Sequence, residues 1–216
     1  MRRMQNRLKI SRLFTFVGIL LIIAAMLLTC YNIWDGRRAQ KASESILVEL
    51  KEHIIQESER QKNENVTAKP QKETVMQESG ESPEMDAVTI DGNEYIGILD
   101  IPGLGLSLPV MNDWSYSKLK VSPCVFRGSY YTNDLVIAGH NYPSHFSPLK
   151  WIKEDVDVYL TTTDCQEFHY SVIKVETIMP NEIEKLAPSE EWDLTLFTCY
   201  TGGGSRCAVR CKKVSY

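Results

Sequence analysis

The sequence lacks several patterns by which common ligand-binding folds are identified. It has no glycine-rich phosphate loop, because no helical pattern follows the three glycines at 202–204. It has no paired Cys-x-x-Cys of a zinc module and no internal repeat. These absences exclude the usual dinucleotide-binding, zinc-ribbon and repeat architectures, and we expect neither a metal nor a cofactor.

Excess positive charge is also absent. The 24 Lys and Arg residues are outnumbered by 28 Asp and Glu residues, which gives a formal net charge of −4. No basic stripe with interleaved aromatic residues occurs, so we expect no nucleic-acid partner. Hydrophobic residues make up 43% of the 216 residues, enough for one domain with appendages or for two small domains.

Only one long hydrophobic run is present, and it lies near the N-terminus. Residues 13–34 carry no charge and are numerous enough to cross a hydrocarbon core of about 30 Å as a helix. Basic residues before the run favour a cytoplasmic N-terminus and an extracellular C-terminal domain. We therefore predict a single-pass anchor in the cell membrane. The alternative is a cleaved signal peptide, but no small-x-small cleavage site follows the run.

A polar segment separates this run from the rest of the chain. Apolar residues at 46, 47, 50, 54 and 55 predict a helix over 38–60, whose stripe could pack on the domain, on another stalk or on nothing. Residues 61–86 are mostly polar and predict a flexible segment. The predicted organisation is a cytoplasmic basic tail at 1–12, an anchor at 13–34, a stalk at 35–87 and a folded domain at 88–216.

From residue 88 onward, short apolar runs alternate with turn residues. Eight runs predict strands: 95–101, 106–111, 124–126, 135–138, 156–160, 168–178, 194–198 and 207–214. Short helices are predicted near 115–120, 146–151 and 181–186. Many short strands at this spacing are typical of an all-β barrel or sandwich.

Three residues at the edges of these runs have the side chains that a cysteine acyl-transfer site needs. Cys199 ends the run Thr-Leu-Phe-Thr-Cys at 195–199, and its thiolate would be the nucleophile. His140 follows the run at 135–138 and would act as acid and base. Arg206 opens the last run, and its guanidinium offers donors to a developing oxyanion.

These roles have rivals in the same part of the sequence. His145 lies in a predicted turn and His169 within a predicted strand. Arg210 shares a strand face with Arg206, so spacing alone does not separate the two arginines. The default expectation for the other cysteines of the domain, Cys124, Cys165, Cys207 and Cys211, is that they are unpaired structural thiols. Either Cys207 or Cys211 could instead pair with Cys124 or Cys165, and the sequence does not decide this.

The order Gly139-His140-Asn141, then Thr-Leu-x-Thr-Cys at 195–199, then Arg206 resembles the sortases, the cysteine transpeptidases of Gram-positive surfaces. The resemblance extends from about residue 95 to 214, and Tyr-Ile-Gly-Ile-Leu-Asp-Ile-Pro at 95–102 looks like the opening strand of that fold. It implies a closed eight-stranded β-barrel with short helices, preceded here by a transmembrane helix and a stalk. It also favours His140, which has Gly before it and Asn after it, and Arg206, which directly precedes a short apolar strand.

The resemblance implies a membrane-anchored transpeptidase that cleaves a Leu-Pro-x-Thr-Gly-like sorting signal between Thr and Gly, through a thioacyl intermediate on Cys199. His140 would protonate the leaving amine, and Arg206 would stabilise the oxyanion. The implied partners are secreted proteins with C-terminal sorting signals and an amine acceptor, either a peptidoglycan precursor or a pilin lysine. Thr198 and Asn141 are candidate substrate-binding residues, although Thr198 could simply pack in its strand and Asn141 could orient the histidine or cap a turn.

Several alternatives stay open. The stalk has no Asp-Pro-aromatic motif of the kind that pilin-polymerising sortases often carry in an N-terminal lid, so cell-wall anchoring is favoured over pilus assembly. A surface cysteine peptidase would hydrolyse the thioacyl intermediate instead of transferring it. A non-catalytic anchored binding or scaffolding domain would use Cys199 and Arg206 only structurally. Glu182 and Glu184 are too few carboxylates to predict a calcium site.

Overall fold

The computed structural model describes residues 2–67, 84–187, 189–200 and 202–214. The chain divides into two compact units, Met1–Arg38 and Ala39–Tyr216. The first helix, α1, extends from Arg2 to Thr67 and contributes to both units. In the described part of the chain it is the one helix long and apolar enough to cross a membrane. Its membrane topology stays a prediction from the sequence.

The helix predicted over 38–60 lies within α1, which continues seven residues further. Residues 61–67, which were predicted to be flexible, are therefore helical. The last residues of the predicted flexible segment, 84–86, have no regular secondary structure. The stretch at 68–83 lies outside the described residues.

Strands follow α1, with short helices between them. The strands are β1 Val88–Ile90, β2 Asn93–Ile101, β3 Leu106–Met111, β4 Cys124–Arg127, β5 Leu135–Ala138, β6 Asp157–Thr162, β7 Glu167–Ile178, β8 Leu194–Cys199 and β9 Arg206–Lys213. The helices are α2, Tyr116–Leu119, and the 3₁₀ helices Pro102–Leu104, Ser147–Trp151 and Pro180–Leu186. The eight predicted strands correspond to β2–β9, and the three predicted helices correspond to α2 and the last two 3₁₀ helices.

Strand β1 is the element that the sequence analysis missed. Its three residues are too few to show an alternating pattern, but the turn after it carries a hairpin signal. Asp91 and Gly92 have φ angles of 49° and 74°. A two-residue hairpin turn requires such left-handed angles, and Asp-Gly adopts them readily. The turn folds β1 back on β2, with Val88 opposite Tyr95.

The remaining eight strands close into a barrel, as predicted. They neighbour one another in the order β2-β3-β4-β5-β8-β9-β7-β6, and β6 pairs again with β2. The barrel is mixed, because β3 pairs with β4 and β5 with β8 in parallel. At the closing pair, a Cβ atom on Gly97 would lie 2.2 Å from the carbonyl oxygen of Thr161. Glycine at this position therefore allows β2 and β6 to meet.

Alternation along β8 divides its side chains between the two faces of the barrel wall. Leu194 and Leu196 point into the main core. Phe197 lies on the other face, in a second apolar cluster that we call the outer cluster. Its buried members are Val136, Ala138, Ile178, Leu186, Phe197 and Ala208. Cys199 follows Phe197 by two residues, so it lies on the outer face as well.

A third apolar cluster joins α1 to the barrel. Ile46 and Leu50 pack with Ile90, Tyr95 and Met111. The buried positions in this part of α1 recur at helical spacing: Ala39, Ser43, Ile46 and Leu50. Of the three possibilities for the apolar stripe, packing on the domain is the one observed.

We expect Leu50→Ala to destabilise the domain by about 3 kcal/mol, because removing a fully buried leucine side chain leaves a cavity. The measurement is chemical denaturation of a soluble fragment comprising residues 39–216. Val48→Ala is the matched control, since Val48 lies on the same helix and is 59% exposed. Equal effects of the two substitutions would show that α1 does not pack on the barrel in solution.

Candidate active site

The parallel pairing of β5 and β8 brings two predicted site residues together. Ala138 is the partner of Phe197, and the amide of Gly139 donates to the carbonyl of Phe197 at 3.0 Å. His140 follows Ala138 by two residues, and Cys199 follows Phe197 by two. Because neighbouring strands lie about 4.8 Å apart, the imidazole and the thiol leave adjacent strands at the same edge of the barrel.

The β8–β9 hairpin brings the arginine to the same edge. Cys199 and Arg206 are direct partners across the antiparallel pair. The hairpin is closed by the amide of Tyr200, which donates to the carbonyl of Ser205 at 2.9 Å. Directly opposite residues on antiparallel strands project to the same face. The tertiary structure therefore brings His140, Cys199 and Arg206 to one edge, with Cys199 exposed and the other two partly exposed.

The rival arginine, Arg210, is fully hydrogen-bonded to other residues. Arg210 is fully buried, and its Nε donates to Oε1 of Glu176 at 2.9 Å. Its Nη1 donates to Oγ1 of Thr195 at 2.9 Å, and its Nη2 donates to the carbonyl of Lys185 at 2.5 Å. A guanidinium held at all three nitrogens cannot turn to an oxyanion near Cys199.

The rival histidines are also unsuited to the role. His169 pairs with Asp157 at 2.7 Å. It is next to Tyr170 on β7, and Tyr170 lies opposite Lys213 on β9. Lys213 is at the opposite end of β9 from Arg206, so His169 is far from the site along the sheet. His145 is fully buried. Burial, and secondarily the charge of His140, lower the pKa of His145 to about 4. It is therefore neutral at pH 7 and shielded from substrate.

Tyr142 is a residue of the site that the sequence analysis missed. Its ring stacks on that of His140, with centroids 4.0 Å apart and planes 12° apart. On its other side it contacts His145 edge-on at 5.5 Å. Stacking on an aromatic face limits the rotation of the imidazole ring. No periodic pattern signals this contact, because it is made within an irregular loop.

The other two members of the predicted site have different surroundings. The Oδ1 of Asn141 accepts a hydrogen bond from Nζ of Lys150, which lies 5.4 Å from the ring centroid of Tyr200. Asn141 therefore links the histidine loop to the chain beside Cys199. Thr198 is buried, and strand alternation places it on the interior face, opposite to that of Cys199. Its position does not support the prediction that it lines the substrate groove.

The glycine of the Gly-His-Asn motif is required by packing. A Cβ atom on Gly139 would lie 2.2 Å from Cδ2 of Phe146, whose side chain is fully buried. The loop after His140 folds back on itself here, with the amide of Phe146 donating to the carbonyl of His140 at 3.2 Å. Glycine thus lets the loop close beneath the histidine.

An apolar surface extends from Cys199 along the outer face. The ring of Phe197 packs edge-on against that of Phe126 at 5.2 Å, and Trp114 lies 5.4 Å beyond Phe126. Tyr116 contacts Trp114 at 5.7 Å and is 80% exposed. This row of aromatic rings, which we call the aromatic row, borders the outer cluster and can receive apolar side chains of an extended peptide.

Burial separates Cys199 from three of the other cysteines of the domain. All six cysteines are free, as expected for the domain cysteines, and Cys199 is exposed. Burial raises the pKa of Cys124 to about 12 and also raises the pKa values of Cys207 and Cys211. These buried thiols are poor nucleophiles because the thiolate is the reactive form. In the described residues, no group of three or more His, Cys, Asp or Glu side chains could hold a metal ion.

A family model for the sortase domain matches residues 99–214. The chain belongs to the sortase family. A curated relative, Sortase A of Bacillus anthracis, is 24% identical over 202 residues, which cover 88% of each chain. The sortases are a family of cysteine transpeptidases.

Solved sortase structures share the fold. Sortase D5 of Clostridium perfringens matches with a TM-score of 0.56 at 17% identity, covering 81% of this chain and 99% of that one. Sortase C of Streptococcus pneumoniae matches with a TM-score of 0.55 at 21% identity, covering 80% and 97%. These matches confirm the predicted sortase-like barrel.

The buried His145 predicts a loss of stability in mild acid. Its folded pKa of about 4 lies below the unfolded value of about 6.5, so the unfolded chain binds a proton first as the pH falls. The stabilising effect is complete above about pH 6.5 and is lost between there and pH 4. We expect about 2 kcal/mol lower unfolding free energy at pH 5 than at pH 7 from this residue.

Denaturant unfolding at both pH values, in the wild type and in His145→Phe, measures this contribution. The wild type should lose more stability than the variant between pH 7 and pH 5. Parallel pH dependences would refute the assignment of a buried neutral imidazole.

Proposed function

We propose that this sortase is a membrane-anchored cysteine transpeptidase that cleaves a Leu-Pro-x-Thr-Gly-like sorting signal between Thr and Gly. The observation that carries the proposal is the pairing of Cys199 with Arg206 beside the strand end that bears His140. It supplies a reachable nucleophile, a cation at the same face and an acid–base group, as the residue types alone suggested.

In the first half-reaction, the Cys199 thiolate attacks the carbonyl carbon of the signal's threonine. Arg206 donates hydrogen bonds to the oxyanion that forms. The imidazolium of His140 gives its proton to the glycine nitrogen as the peptide bond breaks, and a thioester to Cys199 remains. Stacking on Tyr142 limits the rotation of the His140 ring and so keeps the proton donor in place.

In the second half-reaction, an amine attacks the thioester carbonyl. Neutral His140 accepts the proton that the amine loses, and the thiolate of Cys199 leaves. The products are a new amide bond and the starting enzyme, so the proton balance closes over one cycle. The acceptor that we propose is the amine of a peptidoglycan precursor.

The groove proposed for the signal is the outer face of the barrel. The outer cluster is buried and supports the aromatic row, whose exposed members Trp114 and Tyr116 suit the leucine and proline of the signal. Burial of apolar peptide side chains there would supply binding energy and orient the scissile bond.

We propose that α1 anchors the enzyme through residues 13–34, with the barrel outside the cell. The length and apolar character of this part of α1 support the anchor. Cell-wall anchoring is favoured over pilus assembly, because Cys199 is exposed and residues 35–87 contain no Asp-Pro-aromatic motif. The described part of α1 in the second unit packs against Ile90 and Met111, and none of its described residues belongs to the outer cluster.

The nucleophile is tested with the full chain in detergent micelles and a library of Leu-Pro-x-Thr-Gly peptides, with and without an amine acceptor. We expect mass spectrometry to detect an acyl adduct on Cys199 that passes to the amine. Cys199→Ala should abolish both products. Cys165→Ala is the control, because this partly exposed thiol is not at the site and its loss should leave both products unchanged.

Other outcomes of that experiment identify the alternatives. Cleavage without ligation, even at high amine concentration, would indicate a surface cysteine peptidase. A Cys199 thiol that forms no adduct and resists alkylation would refute the enzyme and favour an anchored binding domain.

The oxyanion role of Arg206 predicts a defect in chemistry. We expect Arg206→Met to lower kcat/KM for the peptide by about 10²–10³-fold, as is typical for loss of one oxyanion donor. Arg206→Lys should recover little activity, because an ammonium cannot reproduce the guanidinium fork. Steady-state kinetics measures both, and alkylation of Cys199 with iodoacetamide reports whether the thiol is still accessible. Wild-type kcat/KM in Arg206→Met would refute the role.

A further inference from the structure

Arg210 makes contacts that neither its place on the strand nor the chemistry of the site requires. Its guanidinium is fully buried on the outer face of the barrel wall. Its Nε, Nη1 and Nη2 donate to Glu176, Thr195 and the Lys185 carbonyl, respectively. Its Cζ lies over the ring of Trp192, 4.3 Å from the centroid. Every donor-bearing nitrogen and one face of the group are thus engaged.

These four contacts are made with the segment between β7 and β8 and with the two strands that flank it. Glu176 lies near the end of β7, and Thr195 lies near the start of β8. Lys185 and Trp192 belong to residues 179–193, which connect the two strands and which we call the β7–β8 connection. The buried guanidinium of Arg210 therefore contacts the end of β7, the middle and the end of the connection, and the start of β8.

The end of the connection is also held to β9, because Lys212 bonds to the carbonyl of Glu190 and to the carboxylate of Asp193. The first part of the connection is more exposed. Most of its large side chains are exposed, including Met179 at 48% and Ile183 at 41%. Leu186 is the exception, since it is buried in the outer cluster with Phe197. The bond from Arg210 is made to the carbonyl of Lys185, the residue directly before Leu186. Holding that carbonyl therefore places Leu186 beneath the surface that leads to Cys199.

The charge balance explains why the arrangement persists. Burying a guanidinium is costly unless it is paired and fully hydrogen-bonded. Glu176 supplies the opposite charge at 2.9 Å and is only 21% exposed. Burial raises the pKa of Glu176, but the hydrogen bonds and charges of Arg210 and Lys174 outweigh this and hold the pKa below its usual value. The pair is therefore ionised at neutral pH.

We propose that Arg210 is a positioning residue that holds the β7–β8 connection as a preformed wall of the peptide groove. This proposal rests on the proposed function, because the groove is the one assigned there to the sorting signal. Arg210 does not touch the reacting atoms. It acts through Lys185 and Leu186, and it reduces the ordering that the connection would otherwise undergo when a peptide binds.

The test compares Arg210→Met, Arg210→Lys and Glu176→Gln in the full chain in detergent. Lys174→Met is the matched control, because Lys174 pairs with the same Glu176 carboxylate at 3.1 Å but makes no bond to the described residues of the connection. Three quantities are measured: kcat and KM for the cleaved peptide, the iodoacetamide alkylation rate of Cys199, and hydrogen exchange of residues 180–187.

We expect Arg210→Met to raise KM at least 10-fold while kcat changes less than 3-fold. Hydrogen exchange at 180–187 should quicken at least 10-fold, and the alkylation rate should stay within 2-fold of wild type. Arg210→Lys should behave like Arg210→Met, since lysine cannot span the three acceptors. Glu176→Gln should show a smaller change in the same direction, and Lys174→Met should resemble wild type.

Unchanged KM and unchanged exchange in a folded Arg210→Met variant would overturn the proposal. Equal losses of kcat and of alkylation would also overturn it, because they would indicate general damage to the barrel. If Arg210→Met does not fold, Glu176→Gln decides by the same readouts. If wild type cleaves no peptide, the proposed function fails, and hydrogen exchange alone still decides whether Arg210 holds the connection.

Discussion

The register of β5, β8 and β9 is the constraint on which the site depends. Parallel pairing ends β5 and β8 at one edge, and the antiparallel return of β9 sets Arg206 opposite Cys199. A slip of β8 by one residue would move the thiol to the interior face and bring Thr198 to the outer face. The register is secured by the core on one side and the outer cluster on the other, so the same alternation that buries Leu196 presents Cys199.

Burial then assigns different roles to residues of the same type. The domain contains exposed and buried thiols, and burial disfavours the thiolate of Cys124, Cys207 and Cys211. Arg206 and Arg210 lie on one strand face, yet one is partly exposed beside Cys199 and the other is enclosed with Glu176. His140 is stacked at the edge of the site, whereas His145 is enclosed behind it and stays neutral. In each pair the desolvation cost of a charge separates a group that can react from one that supports the fold.

Local patterns were sufficient for most elements of the barrel. The strands β2–β9 and three short helices were predicted from apolar runs and turn residues. A strand of four or more residues with one buried face shows an alternation of apolar and polar side chains that can be recognised in the sequence. Strand β1 was missed because three residues show no period, although the Asp-Gly turn at 91–92 was a usable signal. The ordered motifs also identified His140, Cys199 and Arg206 as the residues that meet. The position of Thr198 shows the opposite case, since its motif placement gave no indication that its side chain points inward.

The sequence by itself determined the strands, the long apolar helix, the family resemblance and three candidate residues for acyl-transfer chemistry. These depend on residue type and on short-range periodicity, which are visible in one dimension. The tertiary structure alone decided that α1 packs on the barrel and that Tyr142 stacks on His140. It also decided that Arg210 links β7, β8 and the connection between them. Each of these is a contact between segments or within an irregular loop, where the energy depends on burial and on the direction of individual donors rather than on any repeat in the chain.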